Sequence, residues 1–224
     1  MQTAIIVGNS DGIGLGLTRR LLDCGWHVAG LSRRPSPIEH DHYRHSVLDV
    51  TAADYRTTLT GVIMNPPDLV VYCPGIGEAF DVTNMAADRQ VFDVNLMGAV
   101  STIEIALPRL VSRGRGHIIV LSSLADCLIA PEAPSYAASK AGLSSYVESV
   151  ALAVKGKRVA VTNVRFGFVE TKMAKGEKQP MKMSIERSVD HVMRCIEKRP
   201  IRYSRPRLMS LLTLVARWLR RLRT

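Results

Sequence analysis

Residues 4–14 of the chain read Ala4-Ile5-Ile6-Val7-Gly8-Asn9-Ser10-Asp11-Gly12-Ile13-Gly14. The four apolar residues are typical of a buried strand, and a helical pattern runs from Gly12 to Asp23 directly after the turn. Gly8 permits a tight turn, while Gly12 and Gly14 let a pyrophosphate approach the N–H groups at the positive end of the helix. An ordinary strand–helix turn can also carry three glycines, but this position favours a dinucleotide site. Its predicted contacts are Gly8, Ser10, Asp11, Gly12, Ile13 and Gly14.

Apolar runs alternate with helical patterns along the rest of the chain. Further strands are predicted at His27–Leu31, Tyr43–Leu48, Leu69–Tyr72, His117–Leu121, Val159–Val164 and Ile201–Tyr203. Helices are predicted at Ala52–Ile63, Ala86–Val111, Ser135–Val154 and Ile185–Glu197. Apolar strands separated by helices indicate a parallel sheet that is covered on both faces. We therefore predict one doubly wound, Rossmann-like α/β domain over residues 1–224, with three α/β/α layers and strand order 3-2-1-4-5-6-7.

The composition suits a protein with a buried core, because 46% of the residues are hydrophobic and 22% are charged. No apolar run of about 18 residues appears, so no membrane-spanning helix is predicted. The first residues lack the basic region of a signal peptide, and the four cysteines form no C-x-x-C pair, which together favour the cytoplasm. His40, His42 and His45 cluster in the sequence, but a solvated loop is favoured over a metal site and no metal is predicted.

The net charge of +10 is concentrated in the last quarter of the chain. Residues 172–224 hold 15 of the 30 Lys and Arg residues but only 4 of the 20 Asp and Glu residues, so residues 1–171 are almost neutral. This distribution argues against a body that binds nucleic acid and points to a specific role for the tail.

Two C-terminal segments are singled out by their composition. Residues 172–184 are rich in Lys and Met, and Met173, Met181 and Met183 suit either an apolar substrate lid or a disordered basic loop. Residues 205–224 carry leucines, Trp218 and arginines at helical spacing. Such a basic amphipathic helix packs on protein, either this chain or a partner subunit, or lies peripherally on an anionic membrane.

The end of the second strand indicates which dinucleotide is bound. An acid here bonds the ribose 2′-hydroxyl, whereas an arginine accommodates a 2′-phosphate. The Ser32-Arg33 pair therefore favours NADP(H) as the cofactor, with NAD(H) as the alternative, although a solvated basic turn has the same sequence. The negative charge of Asp11, close to the predicted phosphate site, is unfavourable for a bound 2′-phosphate. Asp49 and Val50, after the third strand, are placed to contact the adenine edge.

A tyrosine and a lysine four residues apart lie at the start of a predicted helix, in Tyr136-Ala137-Ala138-Ser139-Lys140. The spacing puts both side chains on one face of the helix. A free phenol has a pKa of about 10, which a nearby ammonium and a positive nicotinamide would lower towards the range of an acid–base catalyst. Ser123, just past the fifth strand, is placed to hold a carbonyl oxygen. Asn95, inside the long helix, is placed to bend it and order a water.

These motifs together resemble the short-chain dehydrogenase/reductases over essentially the whole chain. The matches occur in the family's order at Gly8, Gly12, Gly14, Asp49, Gly75, Asn95, Ser123, Tyr136, Lys140, Gly167 and Thr171. The resemblance implies that Tyr136 donates and accepts the proton, that Ser123 polarises the carbonyl, and that Lys140 binds the ribose hydroxyls and lowers the phenol pKa. It also implies that Asn95 supports a water relay. The backbone of Val169 and the side chain of Thr171 would hold the nicotinamide carboxamide.

The chain departs from the family pattern at three places. Val7 replaces a threonine, Tyr72-Cys73-Pro74 replaces Asn-Asn-Ala, and Phe166 replaces the proline before Gly167. Since no catalytic group is lost, the predicted function is hydride transfer between NADP(H) and a carbonyl or secondary alcohol. The alternatives are a cofactor-sensing regulatory protein or a membrane-surface protein on the same fold. The resemblance also implies a homodimer or homotetramer built on the two longest helices.

Overall fold

The computed structural model describes residues 1–173 and 180–213 and contains a seven-stranded parallel sheet. The strands are β1 (Thr3–Val7), β2 (His27–Ser32), β3 (Tyr43–Val47), β4 (Leu69–Tyr72), β5 (Gly116–Ser123), β6 (Val159–Phe166) and β7 (Arg202–Arg205). Their order across the sheet is β3-β2-β1-β4-β5-β6-β7, which confirms the predicted topology. Because the order reverses between β1 and β4, the strand ends diverge there and leave a crevice at the carboxyl edge of the sheet.

The helices that connect these strands are α1 (Gly12–Asp23), α2 (Tyr55–Val62), α3 (Met85–Phe92), α4 (Gly98–Arg113), α5 (Pro134–Ala153) and α6 (Ile185–Lys198). A π-helical turn, Asp93–Met97, joins α3 to α4, so the long predicted helix is continuous but contains an irregular turn. A 3₁₀ turn, Leu124–Cys127, follows β5. The predicted fifth strand is too short, because β5 extends to Ser123, which was predicted to lie just past the strand.

The core lies in two clusters, one on each face of the sheet. The first cluster packs residues such as Leu59, Ile103 and Leu143 of α2, α4 and α5 against the strands. The second packs α1 and α6 on the other face, through residues such as Leu17 and Val189. The architecture is therefore the predicted three-layer α/β/α sandwich.

The continuous helix Met85–Arg113 is long and apolar enough, by length and composition, to cross a membrane. Half of its most apolar window is buried within the fold, and Ile103, Ala106 and Leu110 belong to the first core cluster. Since its apolar face covers the sheet, the helix is a core element of this domain.

The structure bears on the two segments predicted near the C-terminus, the lid over residues 172–184 and the helix over residues 205–224. Met183 is not part of a lid, because backbone hydrogen bonds pair it with Phe168 and Glu170 and its side chain lies in the second core cluster. Residues 207–213 are helical, as predicted for the start of the tail helix. Residues 174–179 of the predicted lid, and residues 214–224 of the tail with Trp218, lie outside the described residues.

Candidate active site

A cavity of about 840 Å³ lies at the carboxyl edge of the sheet, at the point where the strand order reverses. Its walls come from the segments that follow β1, β2, β3, β4, β5 and β6, and from residues 207–213. Open α/β sheets bind their ligands at this position. The cavity brings together most of the residues that the sequence singled out, although they are far apart along the chain.

The turn after β1 forms one end of the cavity and leaves room for a phosphate against the backbone. Gly12 has a φ of +53°, and a Cβ on Gly14 would lie 2.2 Å from the Gly8 carbonyl oxygen. Ser10, Asp11 and Ile13 line the same end. A turn that excludes side chains next to the free N–H groups of a helix fits the pyrophosphate of a dinucleotide.

Asp11 does not leave an unbalanced negative charge beside the phosphates. Its carboxylate accepts from the N–H of Gly12 at 2.8 Å and caps α1. It also lies 2.8 Å from Lys172 Nζ and 3.6 Å from Arg34. The hydrogen bond from Lys172 is the largest of several contacts that hold the pKa of Asp11 below its ordinary value. The carboxylate that the sequence predicted to be unfavourable for a 2′-phosphate is therefore paired with two cations, Lys172 and Arg34.

The turn after β2 places two guanidinium groups at the mouth of the cavity. The Ser32 hydroxyl donates to the Arg34 carbonyl at 2.7 Å, and Arg33 lies 3.8 Å from the Asp49 carboxylate. Asp49 also accepts from the Thr51 N–H and hydroxyl, each at 2.8 Å, so its carboxylate faces this turn. At the predicted adenine edge it is Leu48 and Val50 that form the wall.

A hydrogen-bond chain that the sequence did not suggest connects the turns after β1 and β2. Asn9 Nδ2 donates to the Tyr43 hydroxyl, which lies 3.0 Å from His45 Nδ1. His45 Nε2 lies 3.0 Å from the Arg34 carbonyl, which can only accept, so Nε2 carries the proton and donates. In the neutral imidazole Nδ1 then accepts from Tyr43. His45, predicted as part of a solvated histidine cluster, is thus a link in this chain.

Tyr136 and Ser123 lie at the other end of the cavity. Pro134 starts α5, which puts Tyr136 in the first turn, and its ring lies close to Gly77. Ser123 accepts from the Ala125 N–H at 3.1 Å, which orients its hydroxyl. Burial raises the pKa of Tyr136, while a hydrogen bond with the Ser123 hydroxyl opposes that rise. The two hydroxyl groups can therefore contact the same carbonyl oxygen.

Lys140 is buried behind the tyrosine, with only 3% of its surface exposed. Its Nζ donates to the Leu121 carbonyl at 3.2 Å and lies 6.0 Å from the centre of the Tyr136 ring. Burial lowers the pKa of Lys140 to about 8. The sequence predicted that this ammonium lowers the phenol pKa, but in the protein alone burial dominates and the phenol pKa is raised.

Asn95 lies in the π-helical turn and is fully buried. Its carbonyl oxygen accepts from the Ile76 N–H at 2.8 Å, and its Nδ2 donates to the Ile76 carbonyl at 2.9 Å and to Ser139 Oγ at 3.0 Å. Both amide hydrogens are thus used within the protein, which leaves the second lone pair of the amide oxygen for the predicted water. The amide joins the segment after β4 to the helix that carries Tyr136 and Lys140.

The departure at Tyr72 has a structural explanation. The Tyr72 hydroxyl is buried and donates to the Val94 carbonyl at 2.6 Å, within the π-helical turn. A Cβ on Gly98 would lie 2.3 Å from that hydroxyl oxygen, so the glycine makes room for it. Tyr72 thereby supplies a hydrogen bond that stabilises the turn around Asn95.

The segment after β6 closes the catalytic end of the cavity. Val169 is buried, and its carbonyl accepts from the Thr171 N–H at 2.7 Å. Thr171 lies against Gly12, and Gly75 lies between Met173 and Lys140. Phe166, which replaces the family's proline, lines the cavity with a buried ring. These residues can hold a planar amide next to the Tyr136 phenol. Among residues 1–173 and 180–213, no three His, Cys, Asp or Glu side chains are grouped to hold a metal ion.

Comparison with known proteins identifies the family. The short chain dehydrogenase family model matches residues 2–182. An uncharacterized oxidoreductase of Myxococcus xanthus is 32% identical over 199 residues, which cover 83% of this chain and 79% of that protein. A short chain dehydrogenase from Burkholderia cenocepacia, solved with NADP, aligns with a TM-score of 0.85 at 23% identity over 95% of this chain and 92% of that one. A 4-hydroxyisoleucine dehydrogenase, solved with NADH, aligns with a TM-score of 0.82 at 17% identity over 91% and 96%.

Proposed function

Because this chain belongs to the short-chain dehydrogenase/reductase family of NAD(P)-dependent oxidoreductases, we propose that it interconverts a carbonyl compound and a secondary alcohol with NADP(H). The observation that carries this proposal is the arrangement of Ser123, Tyr136 and Lys140 in one cavity with the glycine turn after β1. The bound nicotinamide would supply or accept the hydride, and the residues of the chain would position and polarise the substrate.

Tyr136 would act as the general acid in the direction of reduction. Its phenol is protonated at neutral pH, since burial raises its pKa. With Ser123 beside it, the phenol would donate to the carbonyl oxygen while the serine hydroxyl stabilises the negative charge that develops there. In the reverse direction the same phenol would take the proton from the alcohol.

Lys140 would keep a positive charge next to the ribose and the phenol in a site from which water is excluded. A buried ammonium without a carboxylate partner destabilises the folded state. The same burial lowers the pKa of Lys140, because the neutral amine is easier to bury than the ammonium. A residue that destabilises the fold while completing the site is typical of catalytic machinery.

Replacing this lysine is expected to stabilise the protein and inactivate it. Below a pH of about 8 the full cost of burying the charge is present, roughly 3 kcal/mol for a shift from 10.5 to about 8. Above the unfolded pKa the cost disappears, since both states are then neutral. After the lost hydrogen bond to Leu121 is subtracted, Lys140→Met should raise the free energy of unfolding by about 1 to 3 kcal/mol at neutral pH. The gain should shrink towards pH 10.

Urea unfolding at the two pH values measures this, with Lys155→Met as a control at an exposed position just after α5. A Lys140→Met protein that is less stable than the wild type at neutral pH would contradict the proposed cost of the buried charge.

The proposed preference for NADP(H) rests on the turn Ser32-Arg33-Arg34. Ser32→Asp combined with Arg33→Ala removes a guanidinium partner for the 2′-phosphate and adds an acceptor for a 2′-hydroxyl. The ratio of kcat/KM for NADPH to that for NADH should fall by roughly 100-fold, because each lost or added charged contact is worth about 1.5 to 3 kcal/mol. Arg89→Ala, at an exposed helix position, serves as the control. An unchanged ratio would show that Arg33 is only a solvated residue.

Oligomer formation is proposed from the outward faces of α4 and α5. Val91, Val94, Ile103 and Leu143 are buried within the chain, whereas Met97 and Leu152 are exposed. Val100, Leu107, Tyr146 and Val150 are only partly buried. Apolar residues left on two neighbouring helix faces favour a closed, self-complementary dimer, or a tetramer made of two such dimers.

Sedimentation equilibrium at micromolar protein should therefore give a mass of about two or four times 24.7 kDa. Val100→Glu with Tyr146→Glu should shift the protein to the monomer. The two substitutions place a charge on the outward face of α4 and of α5, and burying these charges in a dimer interface costs free energy. A single species at the mass of one chain in the wild type would refute the oligomer.

A further inference from the structure

The catalytic end of the cavity, formed by the segments after β5 and β6 and by residues 207–213, is lined by hydrocarbon. Its apolar lining residues are Leu128, Ala133, Phe166, Phe168, Met173 and Met209. We propose that the substrate is an uncharged, lipophilic carbonyl compound or secondary alcohol whose hydrocarbon part lies against Phe168, Met173 and Met209. The inference rests on the proposed function, since it assigns the class of substrate that meets Ser123 and Tyr136.

The apolar side chains remain exposed around the catalytic groups. Phe168 is 40% exposed and Met173 is 43% exposed, although both line the cavity. The Met173 methyl group and Lys140 Nζ both lie within 3.4 Å of the Cβ position of Gly75. These two exposed apolar side chains therefore lie next to the reacting end of the cavity. A hydrocarbon chain placed there would remove this surface from water.

The wall on the far side of the cavity is held in a fixed position. Met209 packs onto Gly167, where an added Cβ would lie 2.4 Å from the methionine sulphur. The same helical turn exposes Leu208, Leu211 and Leu212. The apolar lining thus continues from the catalytic end onto the surface of residues 207–213, which suits a substrate longer than a few carbons.

The charged residues of the described lining favour an uncharged substrate over an anionic one. The lining cations among the described residues are Arg33, Arg34, Lys140 and Lys172. Arg34 and Lys172 are paired with Asp11 at the phosphate turn, and Lys140 is buried behind Tyr136. Besides Lys140, the charged residues that line the catalytic end are the carboxylates Glu78 and Glu132, on segments joined by the Phe80 N–H to Glu132 carbonyl hydrogen bond. A carboxylate or phosphate on the substrate would meet these two negative charges, and among the described lining residues the cation at this end, Lys140, is buried.

The test is a chain-length series of methyl ketones from hexanone to dodecanone, reduced with NADPH, together with a methyl ketone of equal length that ends in a carboxylate. We expect kcat/KM to rise by about 2- to 4-fold for each added methylene, the size of the transfer free energy of that group. The carboxylated ketone should be at least about 10-fold poorer than its uncharged match. A flat series, or a preference for the carboxylated ketone, would overturn the proposal.

The variant Phe168→Ser with Met173→Ser should reduce the gain to less than about 1.5-fold per methylene, because the surface that covers the chain is lost. Met64→Ser is the matched control, since Met64 is 74% exposed and does not line the cavity. An equal loss of slope in the control, or an unchanged slope in the double variant, would count against the assigned surface.

Calorimetric binding of the corresponding secondary alcohols, in the presence of NADP⁺, separates this inference from the proposed function. Binding that strengthens with chain length while no ketone is reduced would refute hydride transfer and leave the lipophilic site standing. Reduction of short or charged carbonyl compounds with no dependence on chain length would refute the lipophilic site and leave hydride transfer standing.

A second inference rests on the chain from Asn9 through Tyr43 and His45 to Arg34. The Arg34 carbonyl accepts from the Ser32 hydroxyl at 2.7 Å and from His45 Nε2 at 3.0 Å. A Cβ on Gly30 would lie 2.0 Å from Asn9 Nδ2, so the glycine in β2 makes the first link possible. We infer that His45 is a positioning residue that holds the turn carrying Arg33 and Arg34 in the shape that binds a 2′-phosphate.

Titration of the protein with NADP⁺ and with NAD⁺, followed by calorimetry, tests this second inference. His45→Leu should weaken NADP⁺ binding by about 10-fold while changing NAD⁺ binding by less than about 2-fold, the effect of losing one hydrogen bond at the turn. His45→Gln, whose amide can donate to the Arg34 carbonyl, should restore most of the NADP⁺ affinity. Equal losses for the two dinucleotides, or no difference between Leu and Gln, would reduce His45 to a structural residue.

Discussion

Tyr136→Phe is expected to lower kcat for carbonyl reduction by roughly 10²- to 10⁴-fold, the usual contribution of a positioned general acid. The substitution removes only the phenolic oxygen and its proton. The ring would keep its contact with Gly77, and Tyr136 is not among the atoms that contact Gly8, Gly12 or Gly14 in the turn after β1. The dissociation constant for NADPH should therefore stay within about 2-fold of the wild-type value. Steady-state kinetics and fluorescence titration of NADPH measure the two quantities separately.

Tyr146→Phe is the matched control, because Tyr146 lies on the same helix but packs against the first core cluster. It should retain nearly full activity. Turnover of Tyr136→Phe within a few-fold of the wild type would remove the acid–base role from Tyr136. Loss of NADPH binding in that variant would indicate that the side chain shapes the cofactor site instead.

Arg165→Met is expected to produce the largest loss of stability, about 3 to 5 kcal/mol in the free energy of unfolding. Arg165 on β6 and Asp126 in the turn after Ser123 form an ion pair in which both side chains are almost completely buried. The guanidinium also donates to Ser204 Oγ at 3.1 Å and to the Cys127 sulphur at 3.0 Å. Removing the arginine leaves the Asp126 carboxylate buried without a partner, which costs more than the pair itself contributes.

Urea unfolding measures this loss, and two further variants identify its cause. Arg165→Met with Asp126→Leu should recover most of the stability, because no unpaired charge remains. Arg56→Met removes the exposed pair with Glu104 and should cost less than about 1 kcal/mol. A single variant Arg165→Met that is as stable as Arg56→Met would show that the pair does not stabilise the turn that follows Ser123.

The fold was predictable because its determinants are local. The apolar run before Gly8 and the glycines that open α1 lie within eleven residues, and each later strand is a short apolar run between helical patterns. Since parallel strands require crossovers of one hand, the order of elements along the chain indicated a doubly wound sheet. The glycine turn after β1 then favoured the strand order of the dinucleotide-binding fold. Boundaries such as the extension of β5 to Ser123 depend on pairing with β6, which the sequence does not specify.

The contacts between distant residues were not predictable in the same way. Tyr72 reaches Val94, His45 reaches Arg34, and Arg165 reaches Asp126. Each pair lies across an element boundary, and neither member carries a distinctive motif. The arginine between Val164 and Phe166, in a strand that is buried along most of its length, was the one available signal, because a charge at such a position requires a partner.

The electrostatics of the candidate site depend on burial, which a spacing argument does not provide. The four-residue spacing of Tyr136 and Lys140 places both on one face of α5, as predicted. It does not show that the lysine is buried and has its own pKa lowered to about 8. Nor does it show that burial of Tyr136 itself raises the phenol pKa, so the expected direction of that shift was wrong for the protein alone.

The most direct test of hydride transfer uses NADPH deuterated at C4, on either face of the nicotinamide, with a lipophilic methyl ketone as the substrate. Mass spectrometry of the alcohol product reports whether the label has moved to the carbinol carbon. The account predicts that one of the two labelled cofactors, and not the other, yields a product heavier by one deuterium, and that Tyr136→Phe suppresses its formation. Binding of NADPH without transfer of label to any carbonyl compound in the series would contradict the proposed reaction and favour a protein that only senses the cofactor.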